Sequence, residues 1–222
     1  MRTLAKWHIW LGWLVGVPIL IWIATGLFMV SRPIEQVRGE HLRIASKDQP
    51  LPPGSRIDFT VPSGKPIKSI TAAMEDGQIV TRLERPDGTV VRYGEDGREL
   101  PALNEIAARA LVARQVTGGK AVVSARLFPA DKAPFDFRRE MPVWQVVLEG
   151  GTHVYVGQQT GRIEALRTRW WRTFDFMWGL HIMDLQTRED TSHPTLILFA
   201  VLSLIGALIG FVLLFRRRRR AT

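Results

Sequence analysis

Residues 7–30 read WHIWLGWLVGVPILIWIATGLFMV, twenty-four positions without an Asp, Glu, Lys or Arg. As a helix rising about 1.5 Å per residue, the stretch covers roughly 36 Å, more than the ~30 Å hydrocarbon core of a bilayer. A second such run, TLILFAVLSLIGALIGFVLLF, occupies residues 195–215. Lipid offers backbone groups no partner, so both runs are expected as complete helices. Pro18 predicts a kink or one loosened turn in the first. A cleaved signal peptide is the competing reading of the N-terminus. The apolar stretch is too long for a signal core and Ala24-Thr25-Gly26 is a poor cleavage site, so a retained anchor is expected.

The charges support two spans. The chain has 222 residues, 46% hydrophobic and 23% charged, no cysteine and a net charge of +9. This composition excludes a mostly disordered chain, and the absence of Cys excludes a disulfide scaffold or thiolate metal site. Seven of the thirty Lys and Arg flank the apolar runs: Arg2, Lys6 and Arg216 to Arg220. The interior retains 23 against all 21 acidic residues. Basic character confined to membrane flanks argues against nucleic-acid binding and for cytoplasmic termini. Trp7, Trp10 and Trp13 crowd one interface. The expected organisation is a cytoplasmic N-terminus (1–6), a span (7–30), an exported domain (31–168), an interfacial helix (169–187), a span (194–215) and a basic tail (216–222).

The exported part opens with Pro50, Pro52, Pro53, Pro62 and Pro66, a connector unsuited to continuous helix or central strand. QIVTRLE (78–84) and TVVRY (89–93) flank the turn signal Pro86-Asp87-Gly88. NEIAARALVARQVT (104–117) reads as a helix stopped by Gly118-Gly119. VWQVVL (143–148) and HVYV (153–156) form a second strand pair around Gly150-Gly151. One small helix on an antiparallel sheet is expected, making the fold class a membrane α+β protein. GTVVRYGEDGRELPAL (88–103) echoes GTHVYVGQQTGRIEAL (151–166) with single-residue offsets, and duplication or merely similar hairpin turns account for it equally.

The segment from Pro142 through Tyr155-Val156 to Thr160-Gly161-Arg162 resembles the end of a PepSY domain. Trp7-His8-Ile9-Trp10-Leu11-Gly12 resembles the opening helix of PepSY-associated transmembrane proteins, and Trp178-Gly179-Leu180-His181 their second histidine-bearing segment. The resemblance covers both spans and roughly residues 100–187. It implies a bacterial inner-membrane protein whose larger, four-span relatives are linked to ferric-siderophore reduction and iron uptake, with haem b held by membrane histidines. PepSY domains elsewhere accompany proteases and redox enzymes without performing chemistry, so a non-catalytic binding, inhibitory or assembly module is the alternative. No flavin- or nicotinamide-binding signature is visible, so electrons would come from a partner.

Of five histidines, His8 precedes Gly12 and Gly16 by one and two turns, on one helix face. A porphyrin lying against those glycines and close helix packing are equally consistent with that spacing; the resemblance favours ligation. Trp171, Phe174, Trp178, His181 and Leu185 are spaced as one stripe of an amphipathic helix, with Arg172, Asp175 and Gln186 off it. On that stripe His181 is either a haem ligand or an interfacial histidine bonded to a carbonyl. His193, before Pro194, is a weaker ligand candidate, and His41 and His153 read as ordinary surface or sheet residues. His8 and His181 lie roughly 30 Å apart across the bilayer, so one haem cannot join them within one chain. Either a second subunit completes each site or His181 and His193 close an outer one. Gly206-x-x-x-Gly210 with Gly12 and Gly16 makes a homodimer or larger redox complex plausible. Asp184, Arg188, Glu189 and Asp190 read as a solvated charge run, or as carboxylate support for a ligating histidine. Hydrolytic motifs are absent.

Overall fold

The protein is described from a computed structural model that covers residues 2–44, 49–55 and 64–218. Pro62, Arg219 and Arg220 of the expected connector and tail lie outside the described residues. The chain forms two compact units, Met1–Val37 with Trp170–Thr222, and Arg38–Arg169.

In the first unit, helix α1 (Arg2–Met29) runs unbroken through Pro18. A short α2 (Ile34–Val37) follows, and α4 (Arg169–His181) and α5 (Pro194–Arg218) close the unit. The apolar parts of α1 and α5 are each long enough to cross a membrane. Helix α4 stops at His181, short of residue 187. Met183 takes a positive φ of 57° and the backbone turns there. The expected stripe changes accordingly: Leu185 is exposed, while Asp175, placed off the stripe by spacing, is buried.

In the second unit, three strands form one antiparallel sheet in the order β1 (Ser69–Glu75), β2 (Gln78–Glu84), β3 (Val90–Tyr93). Four more, β4 (Val122–Phe128), β5 (Val143–Leu148), β6 (His153–Gly157) and β7 (Ile163–Arg167), form a second in sequence order. The α+β class holds, with two sheets where one helix-backed sheet was expected. After Tyr93 the chain makes only an isolated bridge, Tyr93 to Glu99, before Pro101 removes a backbone donor and the ladder ends.

Helix α3 (Glu105–Gln115) joins the sheets. Asn104 caps it, its side chain accepting from the Ala107 amide at 2.9 Å. Ala108 and Val112 of α3 pack with Val146, Val154 and Val156 of the second sheet, all completely buried. Burial of each such valine contributes roughly 1.5–3 kcal/mol. Tyr155 alternates to the opposite face with Phe137, Val143 and Ala165, so β6 is covered on both sides.

The internal echo has a structural counterpart. The Gly94 amide donates to the Arg98 carbonyl at 2.9 Å, and the Gly157 amide to the Arg162 carbonyl at 3.0 Å. Both turns place a positive-φ glycine, Gly97 or Gly161, immediately before the arginine. The second turn leads into a full strand and the first into the single bridge. At the edge of this unit Gly39 lies beside its far end: a Cβ there would stand 3.4 Å from Leu166 Cβ and 3.5 Å from Thr168 Cγ2.

Candidate functional site

The first unit holds the three histidines singled out from sequence. Helix α1 carries His8, Leu11, Val15, Pro18 and Trp22 at alternating spacings of three and four, the side of one helix. His8 and Leu11 meet α5 where it has no side chains. A Cβ on Gly210 would come within 2.8 Å of His8 Cε1, and one on Gly206 within 3.8 Å of Leu11 Cβ. The Gly206-x-x-x-Gly210 notch is therefore met by His8 and Leu11 of the same chain. Gly12 and Gly16 have nothing within 4 Å of a would-be Cβ among the described residues. The His8 ring lies against Gly210 rather than above them.

The hydrogen bond made by His8 fixes its tautomer. Nδ1 lies 3.1 Å from the Gly206 carbonyl, which only accepts, so Nδ1 carries the proton. His181, the last residue of α4, has its Nδ1 3.0 Å from Thr25 Oγ1. The Thr25 hydroxyl donates to the Ile21 carbonyl at 2.7 Å, so its oxygen accepts from His181. Gly26 gives that ring room, since a Cβ there would stand 3.4 Å from His181 Cε1. Trp22 and Trp178 rings flank it, with centroids 5.5 and 6.4 Å away. Both imidazoles thus direct Nδ1 at an oxygen on another helix, and in the neutral ring Nε2 then carries the lone pair. Metal-bound histidines commonly show this pattern, with the second nitrogen tied to a carbonyl or other acceptor.

These two residues do not converge. Thr25 lies seventeen residues along α1 from His8, about 26 Å by helical rise. The space between α1 and α5 at Pro18, Trp22 and Phe199 amounts to about 10 Å³, room for about one water and far too little for a porphyrin. An imidazole nitrogen is a donor that haem iron would accept, so His8 and His181 would be the residues to hold such a group, with its enclosing walls supplied from outside the single chain. His193 stands at the start of α5, its carbonyl accepting from the Ile197 amide at 3.2 Å. Its Nδ1 is buried without a hydrogen bond among the described residues. No group of three or more His, Cys, Asp or Glu gathers among them either.

The charge run divides: Glu189 and Asp190 are exposed, as a solvated run would have them, whereas Asp184 is buried and spends its carboxylate on its own turn rather than on His181. Asp175 is 5% exposed and pairs with Arg188 at 2.7 Å. Asp184, also 5% exposed, accepts from the backbone amides of Gln186, Thr187, Glu189 and Asp190 at 3.0–3.2 Å, and from the Thr187 hydroxyl. The Thr187 hydroxyl, helped by those amides and opposed by desolvation, holds the Asp184 carboxyl well below the usual carboxylate range. Asp184 thus organises the turn into α5.

In the second unit, His153 is less ordinary than its strand pattern implies. Its Nδ1 donates to Asp136 at 3.1 Å, and Tyr155 donates to the same carboxylate at 2.5 Å. Gln145 donates to the Tyr155 hydroxyl at 2.6 Å. The Tyr155 hydroxyl is pushed far above its usual range by burial, with Asp136 adding to the shift. The i, i+2 spacing of His153 and Tyr155 places them on one strand face. Asp136, from the loop before β5, was invisible without the fold. His41 lies in an exposed 3₁₀ turn, Glu40–Leu42, as expected.

Two apolar helices bracketing an α+β module, with histidines set between helices, define a membrane-embedded protein in contact with lipid. A family model described as the PepSY-associated TM region matches residues 5–222, and the chain belongs to that family. No curated protein and no solved structure matches it.

Proposed function

We propose that this PepSY-associated membrane protein is a haem b-carrying electron-transfer component of a ferric-chelate-reducing or related membrane redox system. It sits in the bacterial inner membrane, with both termini cytoplasmic and the module Arg38–Arg169 outside. What supports this reading is a shared arrangement: His8 and His181 each set Nδ1 against an oxygen of a neighbouring helix, which in the neutral ring leaves the lone pair on Nε2. Haem, when bound, supplies one-electron transfer. Gly206 and Thr25 hold the two rings in orientation. The ~26 Å between them makes each an independent site, with the second ligand from another copy of the chain. Open Gly12 and Gly16 offer a side-chain-free face for that approach. The electron donor is a separate protein.

A second reading rests on the Gly210 contact. If the imidazoles serve only to clasp helices, the chain is a non-catalytic anchor for a PepSY binding or assembly module. Absorption spectroscopy of the full-length protein, produced with haem supplied, separates the two. A reducible Soret and α-band spectrum, diminished in part by His8→Ala and in part by His181→Ala, supports electron transfer. A folded, colourless wild type overturns it.

A further inference from the structure

The second unit carries positive charge that its own carboxylates do not neutralise. Arg82, in the middle of β2, is 5% exposed. Its Nε donates to the Thr160 carbonyl at 2.9 Å and its Nη1 pairs with Glu75, but its Nη2 is buried without a hydrogen bond among the described residues. Arg92, on the neighbouring strand, reaches the same turn from the other side. Its guanidinium occupies the space left by Gly161, where a Cβ would stand 2.6 Å from Nη1. Gly161 also has a φ of +63°, so the backbone favours glycine there, and a side chain would push the Arg92 guanidinium aside. Burial, and then the adjacent Arg82 charge, lower the Arg92 pKa, with Glu75 opposing them, and the guanidinium stays a cation.

Beside this pair opens a cavity of about 640 Å³, within the range of small-molecule sites. Arg43, Arg92, Arg114 and Arg162 line it, with Leu103 and Ile163 among its apolar surfaces. Two carboxylates also reach it, and both are engaged: Asp76 with Arg114 at 2.7 Å, and Glu75 with Arg82. Among the described residues Arg43, Arg92 and Arg162 form no ion pair; Arg92 donates to the Pro101 carbonyl and Arg43 only weakly to that of Ile163. Guanidiniums are the groups best shaped to grip carboxylates in pairs of hydrogen bonds. The cavity is several times the volume of a lone inorganic anion, and its apolar surfaces suit a compact carbon skeleton.

The geometry points to this cavity as a binding site for a small organic polycarboxylate, held by Arg43, Arg92 and Arg162 against the turn Thr160–Arg162. The site belongs to the module and does not depend on haem. Titration calorimetry on the full-length protein in detergent, with benzene-1,3,5-tricarboxylate as probe, tests it. Binding is expected to weaken at least tenfold in the Arg43→Gln, Arg162→Gln double variant, whose residues are exposed, so folding should survive. Arg92→Gln is expected to weaken it further. The uncharged benzene-1,3,5-tricarboxamide should not bind, and inorganic phosphate should compete only weakly. No heat of binding to folded wild type, equal binding of the amide, or unchanged affinity in the double variant overturns the assignment. Full competition by equimolar phosphate overturns the organic part of it.

Discussion

Thr25 of α1 accepts a hydrogen bond from His181 Nδ1 of α4 at 3.0 Å, and its own hydroxyl donates to the Ile21 carbonyl one turn earlier. A residue that reads as lipid-facing filler in an apolar run is thus the support of a candidate ligand. Thr25→Val keeps the shape and removes the hydroxyl acceptor, leaving the His181 N–H only the Trp22 carbonyl. The expected cost is about 0.5–1.5 kcal/mol, with recovery in Thr25→Ser, measured by thermal unfolding in detergent. If haem is bound at His181, its spectrum should shift in the valine variant and not in Ser.

The two glycines of α5 should behave differently. Gly210→Ala drives a methyl to 2.8 Å from His8 Cε1, so the ring or helix must move, at about 1–3 kcal/mol. Gly206→Ala meets Leu11 at an ordinary 3.8 Å and should cost under about 0.5 kcal/mol. Adding His8→Ala to Gly210→Ala should restore part of the loss, a coupling that a double-mutant cycle reads directly.

Asp136 gives the module an acid limit. Burial opposes ionisation of this carboxyl, but hydrogen bonds from His153 and Tyr155 outweigh it, so its pKa is lowered in the folded chain. The unfolded chain therefore takes up a proton first as pH falls. The stabilisation is full above the unfolded pKa of about 3.9 and is lost as pH drops through the folded value. Asp136→Asn should flatten the acid side of the stability profile below about pH 5 while lowering stability at pH 7. Denaturant unfolding at a series of pH values measures both; parallel profiles would refute the assignment.

Asp184 should govern order in the segment leading to α5. In Asp184→Ala the amides of Gln186, Thr187, Glu189 and Asp190 lose their acceptor, and their hydrogen exchange should accelerate while that of α3 stays unchanged. Asp184→Asn retains a carbonyl oxygen and should fall between the two.

The elements with strong local signals were legible from sequence. The uninterrupted apolar runs marked both long helices, and Asn104 with the glycines at 118 and 119 bounded α3. The strands QIVTRLE and VWQVVL lie where their alternation put them. What depended on distant partners was not legible. Gly12 and Gly16 stood nearest His8 in sequence, yet Gly206 and Gly210, almost two hundred residues away, receive it. Asp175 looked solvent-facing because its partner Arg188 lies beyond a backbone reversal at Met183. Asp136, Arg82 and Arg92 sit in stretches without any motif, and their importance comes from burial beside one another.

The meeting of Gly39 with Leu166 and Thr168 bears on how the chain assembles. Closing a flexible loop of roughly 130 residues to pair two helices carries an entropic cost that grows with the logarithm of its length. Once the module has folded, its entry and exit stand side by side, so that long circuit is already shut. Helix pairing through His8 and Gly210 then resembles zipping a short hairpin. Substituting Gly39 with a bulky residue should slow acquisition of the paired helices more than it destabilises the strands themselves.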